Sequence, residues 1–279
     1  MRFTILKKQT DEGGVFMLDG LKKYGSPDTA WAGSAIVCYD ETDSTNRRAR
    51  ELARSGAAHG TLVIAEQQTQ GRGRRGRSWI SPAGDGIFMS LIVRRKDAQG
   101  AARLSLVIAL AVARAIAGET GLHARIKWPN DIVIGGRKVC GMLCEMDFME
   151  DGGLAVTAGI GINVHQTVFD EEIAHTASSL DLLSGRRLDR SSIVLAFLRE
   201  MEAALALEET DADAFMQAYC AHSATLGSRV QVIAPDKTYT GMAEGITPGG
   251  TLLVRADEDG QLREVLAADV SVRGIMGYA

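Results

Sequence analysis

The segment Gly71-Arg-Gly-Arg-Arg-Gly-Arg77 satisfies the pattern G-x-G-x-x-G, and the residues just after it constrain the fold most. A dinucleotide-binding turn of this kind must open a helix, because the helix N-terminus holds the pyrophosphate. Here Ser78-Trp-Ile-Ser-Pro82 comes next, which is no helix start. No acidic residue ends a second strand about 20 residues later, as that fold would require. The doubly wound reading therefore fails on context. Residues 67–81 read instead as a long polar loop between two strands, 61–66 and 86–93. The loop carries four guanidinium groups on a backbone whose glycines permit positive φ and close approach to a ligand. Successive N–H groups can form an anion nest, and arginine adds bidentate contacts to phosphate or carboxylate. A triphosphate or an acyl phosphate would suit several arginines at once. The plainer alternatives are a solvated basic turn or a nucleic-acid contact.

The rest of the chain reads as α+β. A short strand at 36–39 precedes a helix that Asp43 or Ser44 can cap and Gly56 can end. Residues 101–119 form a strong helix with Gly121 just past it. Its apolar run around 104–113 is about half the ~20 residues that span a bilayer, so it reads as buried. Extended pieces at 126–128 and 132–134 flank Pro129-Asn130-Asp131, and Gly135-Gly136 is a hairpin signal. Strands 138–147 and 154–164 are expected to pair antiparallel. Helices are expected near 178–183, 191–207 and 211–220. From Arg229 four short strands, 229–234, 238–246, 251–255 and 263–266, suggest a small all-β barrel. Pro235-Asp236 is one of its expected turns. One short helix is expected near 16–24.

Two further segments carry chemistry. In Lys127-Trp-Pro-Asn-Asp131, Pro129 makes a rigid corner, and Asn130 and Asp131 can cap backbone or bind sugar hydroxyls or a metal-bound phosphate. Gly141, Gly159 and Gly161 lie inside neighbouring strands, where glycine marks close approach by a ligand or another backbone. They would leave a flat slot over the sheet, with Lys138 beside it to hold a carboxylate. Cys140 and Cys144 share a strand face too far apart for a disulfide and read as buried apolar-like residues.

Other classes are disfavoured. A balance of 31 basic against 35 acidic residues, net −4, argues against a broadly basic nucleic-acid binder. The four cysteines form no C-x-x-C pair and no zinc set, which points to a reduced, cytoplasmic protein. The first residues hold no apolar stretch fit for a signal peptide. The five histidines show no metal spacing, and no nucleophile-elbow, zincin or Walker A sequence occurs.

Five segments in order resemble the biotin protein ligases (biotin–[acetyl-CoA-carboxylase] ligases). They are Asp43-Ser-Thr-Asn46, Glu66-Gln-Gln-Thr-Gln-Gly-Arg-Gly-Arg-Arg-Gly-Arg-Ser-Trp79, Lys127-Trp-Pro-Asn-Asp131, Arg137-Lys-Val-Cys-Gly141 and Gly159-Ile-Gly-Ile-Asn163. The resemblance covers about residues 36–275. It implies an α+β, class II synthetase-like catalytic domain over 36–226, a mixed or antiparallel sheet with flanking helices. A small C-terminal SH3-like barrel would occupy 227–279. Residues 1–35 would be an extension too short for the DNA-binding winged helix of bifunctional members, so a monofunctional ligase is expected.

The implied reaction joins biotin and ATP–Mg²⁺ to biotinyl-5′-AMP and pyrophosphate, then transfers biotin to a lysine of a biotin carboxyl carrier protein. By the same resemblance, Ser44, Thr45, Asn46 and Gln68 would bond the ureido ring of biotin. Gly71, Arg72, Gly73 and Arg74 would fold over biotin and the adenylate, mobile when empty and ordered when filled. Lys138, Arg72 and Arg74 would be catalytic. Arg74, Arg75, Arg77, Asn130, Asp131, Lys138 and Asn163 would face ATP, with Trp79 near the adenine. Asp131 would orient Lys138 or help to hold Mg²⁺, and Gly141, Gly159 and Gly161 would form the slot. No specific DNA or membrane is expected as a partner, and an exposed strand edge could pair with the carrier or with a second copy. The alternative is a lipoate or octanoate ligase of the same fold. Its ligand has no ureido ring, and its arginine/double-glycine/histidine motif is missing here.

Overall fold

Residues 62–66, 86–93 and 154–160 are buried without interruption. Successive strand residues point to opposite faces, so such strands have no solvent face and need a layer on each side. The computed structural model describes residues 4–7, 21, 28–96, 98–150, 152–234, 237–267 and 271–274. It supplies both layers.

Eight strands form the main sheet: β1 (Thr4–Lys7), β2 (Ala35–Thr42), β3 (Leu62–Gln68), β4 (Gly86–Arg95), β5 (Arg125–Lys127), β6 (Asp131–Ile134), β7 (Arg137–Phe148) and β8 (Leu154–Asn163). Their order is β1-β2-β3-β4-β8-β7-β6-β5. The first three are parallel and the remaining pairs antiparallel, so the sheet is mixed. Among the described residues the α-helices with described bounds are α1 (Thr45–Arg54), α2 (Ala98–Thr120), α3 (Leu180–Ser184), α4 (Arg190–Thr210) and α5 (Ala212–Ala221). The expected α+β class and most element positions hold. Strand β1 was not anticipated: a four-residue strand is too short to show a pattern, and parallel pairing with β2 creates it. The helix expected near 16–24 lies, apart from Leu21, outside the described residues, as does the turn at 235–236.

On one face of the sheet lies α2. Leu104 and residues 106–113 are all buried, apolar all round, because α2 is sandwiched between the sheet and α4. Helix α4 is started by Asp189, whose carboxylate accepts from the Ser191 N–H at 2.8 Å, and α5 by Asp211, which accepts from Ala214 at 2.9 Å. Among the described residues no helix is long and apolar enough to cross a membrane.

The other face is only partly covered. Helix α1 packs Ala49 and Ala53 on Val37, Val63, Ile92 and Ala155. Along β8 that face continues from Ala155 through Thr157 to Gly159 and Gly161, and Gly141 of β7 stands opposite Gly161. Past the end of α1 the sheet therefore presents glycines.

A second sheet joins β9 (Arg229–Ile233), β10 (Thr238–Ile246), β11 (Leu252–Ala256), β12 (Leu262–Val265) and β13 (Ser271–Gly274), all antiparallel, in the order β12-β11-β10-β9-β13. Strand β13 was also missed; it too has only four residues, and antiparallel pairing with β9 creates it. The core of this sheet includes Val230, Val232, Leu252 and Val254, together with Trp128 from the corner after β5. Trp128 is bonded at both ends: its backbone N–H donates to Thr225 Oγ1 at 2.9 Å and its indole Nε1 to the Gly250 carbonyl at 3.0 Å. The corner thus bolts the two sheets together through a large apolar ring with a satisfied polar handle.

Candidate active site

The slot left by the glycines is filled by this chain's own side chains. A Cβ on Gly159 would stand 2.0 Å from Asn46 Oδ1, and one on Gly161 2.5 Å from Trp79 Nε1. One on Gly141 would stand 2.8 Å from Trp79 Cζ3. No side chain other than hydrogen fits there. The glycines do mark close approach, but by the Asn46 and Trp79 side chains, which cover the flat slot that was expected.

Asn46 belongs to a polar floor at the start of α1. Ser44 occupies the N-cap position, yet its side chain makes no capping bond. Asp43 Oδ1 instead accepts from the Ser44 N–H at 2.7 Å, and Ser44 lines the cleft. The backbone N–H and the hydroxyl of Thr45 both donate to Gln68 Oε1, at 2.9 and 3.1 Å, while Gln68 Nε2 donates to Ser81 Oγ at 3.0 Å. Asn46 Nδ2 donates to the Leu143 carbonyl at 3.1 Å and to Glu145 Oε2 at 2.9 Å. Asn46 Oδ1 faces Ser90 Oγ at 2.7 Å. Both amide hydrogens of Asn46 are engaged, so it offers the cleft an acceptor, whereas Gln68 has one N–H left and offers a donor.

Above the floor stands the arginine loop, folded as a tight hairpin. Gly73 N–H donates to the Arg77 carbonyl at 2.7 Å and Trp79 N–H to that of Gly71 at 2.9 Å. A Cβ on Gly71 would lie 2.3 Å from the Trp79 oxygen, so the hairpin needs glycine there. Arg75 is left-handed (φ 57°) at its tip. Arg72 reaches inward to Glu145, 2.8 Å away. Arg74 donates to Asn130 Oδ1 at 2.8 Å and to the Ala267 carbonyl of the C-terminal unit. Burial lowers the Arg74 pKa, with the nearby Asp131 carboxylate acting against that shift. Lys138 Nζ is 2.7 Å from Asp131 Oδ1 and 5.4 Å from the centre of the Trp79 ring. The Lys138 backbone is held by Thr176 and Ser178, through bonds of 2.7 and 2.9 Å.

These groups enclose a cleft of about 470 Å³, part of it open to solvent. Ser44, Thr45, Asn46 and Gln68 line one end. Arg72, Gly73, Arg74, Trp79, Asn130 and Lys138 line the other, with Gly141, Gly159 and Gly161 beneath. The structure thus brings Arg72 and Lys138 into one cavity. Arg75 and Arg77 are exposed and outside the lining. Gly71 and Asp131 stand behind it, and Asn163 is buried away from it, donating to the Ser178 carbonyl at 3.1 Å.

Three polar residues were missed: Ser90, Glu145 and Arg50. Arg50 grips Asp147 through two bonds of 2.7 Å and Glu145 through one of 3.0 Å. The Arg50 bonds hold the Asp147 carboxyl down at about 2. Alternation along β7 could have found Glu145, which shares a face with Gly141 and Leu143. Of the two cysteines on β7, Cys140 is buried and Cys144 half-buried, and burial pushes the Cys144 thiol up to about 12.

A polar floor with one donor and one acceptor, under a rim of three cations, suits a ligand with a neutral hydrogen-bonding head and an anionic tail. Comparison with known proteins gives the same direction. The Biotin/lipoate A/B protein ligase family matches residues 39–163 and the Biotin protein ligase C terminal domain residues 225–273. The bifunctional ligase/repressor BirA of Bacillus spizizenii is 36% identical over 247 residues, 86% of this chain and 74% of that protein. The biotin–[acetyl-CoA-carboxylase] ligase of Mycobacterium tuberculosis is 38% identical, over 82% of this chain and 86% of that one. The biotin protein ligase of Aquifex aeolicus, solved with biotin and ATP, superposes with a TM-score of 0.75 at 32% identity, covering 86% of this chain and 98% of that one. With this floor, this cationic rim and these relatives, the chain belongs to the biotin protein ligase family.

Proposed function

We propose that this protein activates biotin with ATP and transfers it to a lysine of a biotin carboxyl carrier protein, the substrate domain of acetyl-CoA carboxylase. The observation that carries this reading is the convergence of Arg72, Arg74 and Lys138 on the cleft whose floor is Thr45, Asn46 and Gln68. The Asn46 oxygen accepts from a ring N–H of biotin, and the spare Gln68 N–H donates to the ring carbonyl. The carboxylate then lies toward Lys138.

In the first step a carboxylate oxygen attacks the α-phosphorus of ATP and pyrophosphate leaves. Both partners are anionic, so cations must offset their repulsion and fix an in-line geometry. Lys138, aimed by Asp131, and the loop arginines are placed to do this. In the second step the carrier amine attacks the acyl carbon, AMP leaves and the nitrogen loses a proton. A closed loop shields the mixed anhydride from water.

Magnesium enters as part of the nucleotide substrate. Among the described residues no three acidic, imidazole or thiol groups converge, and Asp131 is engaged by Lys138. That donor set fits an ion carried by phosphates, and it favours Asp131 as the residue that orients Lys138. Arg75 and Arg77, exposed outside the lining, are read as nucleotide contacts, whereas Asn163, buried and bonded to the Ser178 carbonyl, is read as a support of the segment that holds Lys138.

A lipoyl or octanoyl ligand would leave the Asn46 and Gln68 groups desolvated and unmatched. The DNA reading is disfavoured because Arg72 and Arg74 are turned inward onto Glu145, Asn130 and Ala267. Residues 36–226 are read as the catalytic unit and 227–279 as an SH3-like unit. Beyond Met142, which is bonded to Asn130, the outer edge of β7 pairs with no strand among the described residues, which suits strand addition by the carrier or by a second copy. None of the four cysteines is in a disulfide, which agrees with a cytoplasmic setting.

The test is mass spectrometry of a carrier domain incubated with the protein, biotin, ATP and Mg²⁺. Addition of one biotinyl group that requires all three small molecules is expected. An unmodified carrier, or one that takes up lipoate instead, would overturn the reading.

A further inference from the structure

Glu145 stands where three parts of the site meet. Its carboxylate accepts from Asn46 Nδ2 of the floor at 2.9 Å, from Arg50 Nη1 one turn further along α1 at 3.0 Å, and from Arg72 of the loop at 2.8 Å. We propose that Glu145 is a positioning residue for biotin: one carboxylate orients the Asn46 amide in the floor and holds Arg72 across the mouth of the cleft. The proposal rests on the biotin reading above and deepens it.

Matching of donors to acceptors fixes the amide. An asparagine amide can present oxygen or nitrogen by a half-turn about its last torsion. Here a half-turn would set Oδ1 against the Leu143 carbonyl and the Glu145 carboxylate, acceptor against acceptor. Glu145 therefore locks the amide with its oxygen toward Ser90 and the cleft. That is the polarity a ring N–H requires, and a reversed amide would meet it donor to donor. The Leu143 carbonyl alone could satisfy one amide hydrogen, but it carries no charge to hold Arg72. A carboxylate supplies both, and the bond to Arg72 is the stronger charge-assisted kind. The coupling also makes the floor and the loop sensitive to one another, since Asn46 and Arg72 both bond to Oε2.

A purely structural role, anchoring α1 through Arg50, is separable. Asp147 binds Arg50 through two nitrogens at 2.7 Å, and Arg54 also reaches Asp147. That anchor remains when Glu145 is changed.

The experiment compares wild type, Glu145→Gln and Glu145→Leu in three readouts: biotin-dependent pyrophosphate release, dissociation of the adenylate, and thermal melting. Glu145→Gln can keep an oxygen at the Oε2 position for Asn46, but it removes the charge that holds Arg72 and puts an N–H where Oε1 accepts from Arg72 at 3.1 Å and from Arg50 at 3.0 Å. It is expected to leave the KM for biotin near wild type while the adenylate dissociates at least about fivefold faster. Glu145→Leu loses both functions. Its KM for biotin should rise about tenfold, with the KM for ATP changed by less than about twofold. A folded Glu145→Leu with wild-type biotin KM and adenylate dissociation would overturn the proposal. So would KM values for biotin and ATP that rise together as the melting temperature falls. Should Glu145→Leu fail to fold, a wild-type dissociation rate in Glu145→Gln would overturn it instead. If the wild type releases no pyrophosphate with biotin, the parent reading falls and this one with it; an active wild type with insensitive variants sinks this one alone.

Discussion

Alanine at Gly159 is the sharpest single perturbation of the floor. The new Cβ would stand 2.0 Å from Asn46 Oδ1 and 2.7 Å from its Cγ, where ordinary contact begins at 3.4 Å. Asn46 would have to retreat by about 1.4 Å. A movement of that size breaks its bonds of 2.7, 2.9 and 3.1 Å to Ser90, Glu145 and Leu143. Neutral hydrogen bonds contribute about 1 kcal/mol each and one to a carboxylate about 1.5–3. Part of this is recovered by rearrangement, so overpacking of about 1–3 kcal/mol is the expected loss of stability. The loss to binding is the displaced ring acceptor, about 2 kcal/mol, or roughly 30-fold in Kd for biotin. Isothermal titration of biotin, alongside urea unfolding, measures both. A folded Gly159→Ala protein that binds biotin within about twofold of wild type would show that Asn46 is not the ring acceptor.

Lys138→Ala should reduce biotin-dependent pyrophosphate release by about 100-fold or more with an unchanged melting temperature; loss of folding would mean that Lys138 is structural. Gly118→Ala, exposed near the end of α2 with nothing within 4 Å of the new Cβ, should raise unfolding free energy by about 0.5–1 kcal/mol in urea. A destabilised variant would contradict that helix assignment. Asp147 binds its proton less readily folded, at about 2, than unfolded, at 3.8. Its stabilisation is therefore complete above about pH 4 and lost as pH falls toward 2. Urea midpoints should fall through that window and fall less in Asp147→Asn; parallel curves would refute the Arg50–Asp147 pairing.

Much of the site was legible from residue type and spacing. The arginine loop, Lys138 and the interior glycines are local signals, because each type is unusual in its setting. Gly159 and Gly161 alternate on one strand, so their common face followed from the period of two. Their use by Asn46 and Trp79 did not, since those side chains arrive from α1 and from the loop. Ser90 stayed hidden for a related reason. It lies in an ordinary apolar strand, and only the register with Gly159 brings it under Asn46. The contacts of the loop were not legible in its own residues. Its anchors are Trp79 on the glycines and the partners of Arg72 and Arg74, which lie 56 to 193 residues away in the chain.

The chain of amino acids alone was enough to specify which chemical groups the site contains and on which elements they ride. Alternation, caps and glycine placement act over a few residues and can be read in one dimension. Which acceptors engage the two amide hydrogens of Asn46, which carboxylate restrains Arg72 and which way Lys138 is aimed depended on folding. Hydrogen bonds act over about 3 Å, and only strand pairing and helix packing bring such distant residues within that reach.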